Sequence, residues 1–302
     1  MMSSRIFLVF IFSFYNLLVY GQEAENVSKK NSRKTSKLLV SGVIIYTGTM
    51  IGLNELWYKQ YPQAKLHSFN DNREWLQMDK TGHLVTSYFV GYVGHESFKS
   101  MGMSDKVARY VGGCVGLMFQ TGVEILDGKS AQWGFSWGDE LMNVSGAGIF
   151  ILEDALWGEQ RIKLKYSFTR SPYAQYNPSL LGENVYQEVL KDYNGQTHWA
   201  SCNIASLLQV EKDKRFPKWL NIAFGYGVDG LLGGEDNLDF EEIVSFERRR
   251  QYYVSFDVDL SRIESSSEVF NTLKKAFGFI KIPSPTLEFI QGGNTHFYWF
   301  YF

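Results

Sequence analysis

The chain reads as an α+β protein, an apolar four-helix bundle followed by a mixed, strand-rich C-terminal region. Three observations predict this. Up to residue 157 the sequence runs in sparsely charged stretches of helical length, separated by polar breaks. Beyond residue 160 it alternates with a period of two in 161–168, 251–260 and 296–302, the spacing of a half-buried strand. The third helical stretch carries Gly112, Gly113, Gly116 and Gly122. That density destabilises a helix unless another backbone closes against it, as in membrane-type helix contacts.

Residues 1–21 have the form of a secretory signal: Arg5, an apolar run from Ile6 to Tyr20, then small Gly21 before Gln22. The alternative is an uncleaved anchor, for which the run is short. Residues 22–37 are polar, with Lys29, Lys30, Arg33, Lys34 and Lys37, the composition of a disordered leader able to touch anionic headgroups. From Leu38 to Asn54 no residue is charged. That stretch is apolar most of the way round, which marks a buried helix or a membrane span of minimal length.

Helices are expected over 38–58, 74–99, 104–126 and 139–157, within a helical domain of residues 38–160. Ser104 is suited to cap the third, with Asp105 in its first turn. Residues 161–302 form the strand-rich region, with short helices near 183–192 and 268–277 and glycine-rich turns over 225–234.

Composition narrows the function. With 45% hydrophobic and 21% charged residues, the chain has ample material for a core. An aromatic share of 16% suits membrane headgroup belts or protein contacts, because these rings join an apolar body to a polar tip. A net charge of −2 gives no global drive toward nucleic acid. Cys114 and Cys202 make neither a disulfide framework nor a zinc site; free thiols are favoured, although one bridge stays open. Membrane or envelope components are the expected partners. No protein partner and no cofactor are named by the residues.

One polar constellation stands out. Asp79 and His83 are four apart and Lys80 and His83 three apart, so they share a helix face that Ser87 continues. In the third helix Gln120, Glu124 and Asp127 stack at spacings of four and three; in the fourth, Asp139 and Asn143 are four apart. Ionisable groups on apolar helices are expensive unless they meet partners, so the patches are expected to face one another. A carboxylate beside a histidine can orient a general base. Several carboxylates with one histidine can hold a divalent cation, and Lys80 can clamp an anion. A satisfied network that only fixes helix register explains the same pattern.

Other features carry less. His95-Glu96 is expected near an exposed helix end. The run Glu235, Asp236, Asp239, Glu241, Glu242 lacks the alternating ligands of a calcium loop, and Arg248-Arg249-Arg250 balances its charge. Asn26-Val27-Ser28 and Asn143-Val144-Ser145 match the short glycosylation pattern.

The constellation sits in longer motifs: Asp79-Lys80-Thr81-Gly82-His83, Glu124-Ile125-Leu126-Asp127-Gly128-Lys129-Ser130, and Gly134-Phe135-Ser136-Trp137-Gly138-Asp139 with Asn143 and Gly146. Over residues 70–157 these resemble the YfiM-type family of predicted periplasmic lipoproteins, whose function is uncharacterised. A more distant likeness is to VanZ-like membrane proteins, which share Asp-Lys-x-x-His, then Glu, then Asp-x-x-x-Asn-x-x-Gly. The resemblance implies an envelope-located helical bundle and a role for Asp79, Lys80, His83, Glu124, Asp127, Asp139 and Asn143. It supplies no reaction. The chain departs from the family in having no lipidation Cys after the apolar run and in its long strand-rich extension.

Two functions follow as expectations. One is a periplasmic or outer-membrane-associated protein whose polar cluster is structural or binds a ligand. The other is a hydrolase or transferase acting on a phosphate-bearing envelope lipid or glycan, with His83 as base, Asp79 orienting it and Lys80 holding the anion. The sequence leaves open whether the protein is an enzyme, and which metal, if any, it takes.

Cleavage after Gly21 predicts a mature chain that begins at Gln22. Mass spectrometry of the envelope form reads this directly; an intact Met1 overturns it.

Overall fold

Sparsely charged stretches of helical length become helices, and the period-two stretches become strands, giving mixed α and β structure. The computed structural model describes residues 32–59, 61–213, 215–237 and 245–302. The signal segment, most of the basic leader, Asn26, and Asp239, Glu241 and Glu242 of the acidic run lie outside the described residues.

The chain divides into two units. One comprises Met1–Asp71 with Thr86–Gly158, the other Asn72–Val85 with Glu159–Phe302. The long helices are α1 (Ser32–Leu53), α2 (Met78–Ser100), α3 (Asp105–Asp127) and α4 (Trp137–Trp157). The first eight residues of α2 belong to the second unit and the remainder to the first.

In the first unit α1 begins at Ser32, so residues 32–37, expected to be disordered, are helical. Arg33, Lys34 and Lys37 are good helix formers ahead of Leu38 and Leu39, which explains the extension. Its apolar residues are not buried: Val43 and Ile44 are each 65% exposed. Among the described residues no helix is long and apolar enough to cross a membrane, so neither reading of this stretch holds. A short π-helical turn, Asn54–Tyr58, follows it.

Helix α3 is capped by Ser104, whose side chain accepts the Val107 N–H at 3.4 Å, and Asp105 pairs with Lys99 at 2.8 Å. Its glycines answer to close neighbours. A Cβ on Gly116 would run into the Ser87 carbonyl oxygen, and one on Gly112 into the His95 amide and, at 2.7 Å, the Gly91 carbonyl oxygen. At Gly113 the obstacle is a side chain, Ile151, at 2.5 Å, and at Gly122 it is the Tyr46 hydroxyl at 2.6 Å. The backbones of α2 and α3 therefore meet without side chains between them, as the glycine density predicts.

The second unit holds a six-stranded antiparallel sheet in sequential order: β1 (Ile162–Phe168), β2 (Gln196–Asn203), β3 (Leu220–Asp229), β4 (Arg249–Val258), β5 (Ser284–Ile290) and β6 (Thr295–Tyr301). Strands β1, β4 and β6 fall on the three alternating stretches. The turns expected over 225–234 begin only at Gly230, because β3 carries Gly225 and Gly227 inside the strand. A Cβ on Gly225 would stand 2.7 Å from the Trp199 ring, so glycine there makes room for a buried indole. Short helices α5 (Pro178–Leu181), α6 (Val185–Lys191), α7 (Ile204–Leu207) and α8 (Glu268–Phe277) flank the strands.

One face of the sheet buries polar groups. Lys165 pairs with Asp257 at 2.7 Å, both side chains at most 1% exposed. Asp257 also accepts from Ser201 Oγ at 2.6 Å, and Asn221 donates to Ser201 at 2.8 Å. Further along, Glu288 accepts from Tyr253 at 3.0 Å and from Tyr298 at 2.9 Å. At the edge of β1, the Tyr166 N–H bonds the Phe279 carbonyl and the Lys281 N–H bonds the Tyr166 carbonyl, joining β1 to the segment that leads into β5. Both cysteines are free thiols, and burial pushes that of Cys114 up.

The glycine contacts generate a graded expectation. Gly116→Ala places a methyl against backbone and costs about 1–3 kcal/mol, whereas Gly148→Ala, with nothing within 4 Å of its Cβ, gains up to about 1 kcal/mol of helix propensity. Denaturant midpoints of the two variants read the contrast; equal shifts overturn the close-contact account.

Candidate functional site

The predicted site residues fall in both units. Glu124, Asp127, Asp139 and Asn143 belong to the first, Asp79, Lys80 and His83 to the second.

In the first unit the network begins at the N-terminus of α4. Ser136 caps the helix by accepting the Asp139 N–H at 3.1 Å and donates its hydroxyl to Asp71 at 2.7 Å. The Ser136 N–H goes to Glu124 Oε2 at 2.8 Å, so a carboxylate 1% exposed in α3 is held by the backbone that starts α4. Asp139, itself buried, sits in the first turn of α4, where the peptide dipoles favour a carboxylate. Next to it, Glu140 accepts from Thr121 at 2.9 Å and from Asn143 at 3.1 Å. The Asn143 carbonyl takes the Ser87 hydroxyl at 2.7 Å. Asp127, half-buried at the end of α3, accepts from the Tyr58 hydroxyl at 2.9 Å.

The loop between α3 and α4 is fixed from outside. Residues 62–69 lace against 128–135 through Ala64 N–H to Lys129 O at 2.7 Å, His67 N–H to Gly128 O at 3.0 Å and Phe135 N–H to His67 O at 2.9 Å. Gly134 is required there, since its Cβ would meet Phe69 at 2.5 Å.

In the second unit α2 starts after an unusual turn. Trp75, Leu76 and Gln77 all have left-handed backbone, with φ of 50°, 49° and 64°. The turn is tied down by Trp75 N–H to Gly234 O at 2.7 Å, Arg250 to Gln77 Oε1 at 2.8 Å, and the Tyr226 hydroxyl on the Leu76 carbonyl. Asp79 follows, and its Oδ1 receives the Tyr193 hydroxyl and lies 3.9 Å from His83 Nε2. The Asp79–His83 pairing expected from the spacing of four is thus present. Lys80 and His83 are buried. Thr81, between them, is hydrogen-bonded through its hydroxyl to His198 Nδ1 at 2.6 Å.

Several partners escaped the sequence reading. Ser136 and Glu140 lie inside or beside the motifs, and Ser136 three residues before Asp139 is a cap signal. Thr81 lies within its motif. Asp71, Thr121, Tyr193 and His198 carry no local signal, being brought in by tertiary contacts alone.

One weak pattern is set aside and one expectation is corrected. Asn143 is fully buried and donates to Glu140, so its glycosylation pattern is not an accessible acceptor. His95 is not at an exposed end. It is 4% exposed, because Gly112 lets the α3 backbone close over it, and Phe150 lies 5.5 Å from its ring. Its Nε2 has no hydrogen-bond partner among the described residues, and Nδ1 stands 3.6 Å from Glu96.

Residues 68–155 match the family model described as predicted periplasmic lipoprotein (DUF2279). The match covers under a third of the chain and includes all seven site residues named above. No curated protein and no solved structure matches the chain. The protein is exported, and resides in the periplasm or in association with the outer membrane.

Burial holds the His95 imidazole below its ordinary value of 6.5, against the upward pull of Asp154, Glu96 and Asp105. Lys99 adds to the depression. Below pH 6.5 the unfolded state therefore binds a proton that the folded state refuses. The stability contributed by neutral His95 is complete above that value and is lost as pH falls toward the folded value. Melting temperature is expected to fall between pH 7.5 and 5 more steeply in the native chain than in His95→Gln; parallel profiles overturn the assignment.

Proposed function

We propose that the chain is an envelope protein whose helical region is a four-helix bundle with a polar, ligand-binding core, and that Asp79, Lys80, His83, Glu124, Asp127, Asp139 and Asn143 act as one set. The observation that carries this is the buried carboxylate Glu124, satisfied by the Ser136 N–H at the start of the helix that bears Asp139 and Asn143. A carboxylate is held in such a place only when hydrogen bonds and charges around it offset its desolvation. The inclusion of all seven residues in one family match supports reading them together. The finer likeness to YfiM-type and VanZ-like proteins favours the same residues. The chemistry of the set, carboxylates with one histidine and one lysine, suits a divalent cation or a phosphate group.

A second reading, a hydrolase or transferase on a phosphate-bearing envelope lipid or glycan, is favoured by one observation. Asp79 is engaged by Tyr193 on one side and faces His83 Nε2 at 3.9 Å on the other. A carboxylate so restrained can orient an imidazole as a base. In that reading Lys80 holds the anion.

Calorimetric titration of the purified full chain with Mn²⁺ and, separately, with inorganic phosphate tests the proposal. Binding of one of them is expected, weakened at least about tenfold in His83→Gln and in Asp139→Asn, with melting temperatures within a few degrees of the native chain. If neither probe binds, or if the two variants lose stability rather than affinity, the set is a structural network and the ligand-binding reading fails.

A further inference from the structure

The sheet of the second unit is inverted in polarity. An antiparallel sheet with one face in water ordinarily turns its apolar side chains inward and its polar ones out. Here the buried face carries Lys165, Asp257, Ser201, Asn221 and Glu288, bonded to one another or to neighbouring tyrosines, around a small apolar cluster of Trp199, Ala223 and Tyr253. Among the described residues the opposite face of β3–β6 is apolar and uncovered. Phe224 is 50% exposed, Phe256 52%, Phe297 51% and Trp299 72%.

The register joins these side chains across the strands. Phe224 pairs with Val254, Val254 with Leu287, and Leu287 with Phe297, so one apolar row crosses four strands. A second row runs through Tyr226, Tyr252 and Phe289. No outward position from Leu220 to Tyr226 in β3, or from Tyr252 to Val258 in β4, carries a charge. Elsewhere the same face is closed by the chain itself, at Val228 against Met78 and Leu231, and at Tyr166 through its hydrogen bond to the Val189 carbonyl at 2.6 Å. The uncovered area is therefore contiguous and confined to β3–β6.

Helix α8, in the connection between β4 and β5, repeats the pattern. Val269, Phe270, Leu273 and Phe277 recur at helical spacing and are all exposed. A helix with a strong apolar face turned outward is the form that lies in a membrane interface.

We propose that the outer face of β3–β6, with the apolar face of α8, is seated in a lipid bilayer and contacts acyl chains. A polar inner face with an apolar, aromatic outer face is what a sheet requires when its outer solvent is hydrocarbon. The charge-free outward stretches, residues 220–226 in β3 and 252–258 in β4, rise about 23 Å along the strand. At a tilt of about 40° this reaches about 18 Å, enough to meet acyl chains without crossing the full apolar band of about 25 Å. The surface is distinct from the polar set of the helices and does not rest on it.

The test uses the full chain, purified in detergent and dialysed into vesicles of phosphatidylcholine, with flotation as the readout. The chain is expected to float with the vesicles, and lipids brominated in mid-chain are expected to quench its tryptophan emission. Trp299→Phe should remove a measurable part of that quenching. Phe224→Asp with Leu287→Asp should lower the vesicle-bound fraction at least about tenfold. Trp299→Phe keeps the test readable should the double variant fail to fold. A chain that stays with the aqueous fraction overturns the proposal. So does a native and variant quenching that do not differ, or a detergent-free dimer dissociated by the aspartates, which would make this face an interface between two copies.

Discussion

Glu124 is 1% exposed and accepts the Ser136 N–H at 2.8 Å, while Ser136 in turn caps α4 and reaches Asp71. Removing a charge from water costs several kcal/mol after relaxation, so the carboxylate dictates what surrounds it. It needs a donor with no acceptor character, and an unpaired backbone N–H at a helix start is one. Glu140 makes the same demand and meets it with Thr121 and Asn143. Helices α3 and α4 are thus tied by specific hydrogen bonds as well as by packing, and their register is not free to slide. The sheet solves the same problem differently. There Asp257 collects Lys165, Ser201 and the Ile282 N–H at 3.1 Å, a buried ion pair with its remaining lone pairs satisfied.

The helices were legible in the sequence because their signals are local. Ser104 caps α3, and the glycines that would weaken α3 in isolation announce the close approach of Ser87, Gly91 and His95. Strands β2, β3 and β5 were not legible. In β2 the inward positions are Thr197, Trp199, Ser201 and Asn203, so apolar alternation is missing, since the buried face is polar. In β3, Gly225 mimics a turn while serving to admit Trp199. The causes differ: β2 has no consistently apolar face on either side, whereas β3 alternates but carries glycines that read as turn residues.

The candidate site was legible to the extent that helical spacing carries it. Asp79 and His83 at four residues apart are paired, as one helix face requires. The partner that restrains Asp79 is Tyr193, over a hundred residues later in the chain, and no spacing rule reaches it. His95 misled for the opposite reason. Its neighbours in sequence are polar, but its burial is set by Gly112 on another helix. A histidine's surroundings are a tertiary property, whereas the faces of a helix are a local one.

The left-handed run at Trp75, Leu76 and Gln77 joins these two levels. Left-handed backbone in three successive residues with side chains costs energy that the local sequence cannot recover. It persists because Gly234, Tyr226 and Arg250 hold the three residues from outside, and Trp75 sets its ring 5.2 Å from that of Tyr193. The turn ends one residue before α2, so it fixes the direction in which the helix leaves, and with it the position of Asp79 one residue into the helix. Tyr193 therefore contacts the motif twice, at the ring of Trp75 and at the carboxylate of Asp79. The Asp79-Lys80-Thr81-Gly82-His83 motif thus belongs to the same unit as the strands, whose residues impose the backbone geometry on which it is mounted.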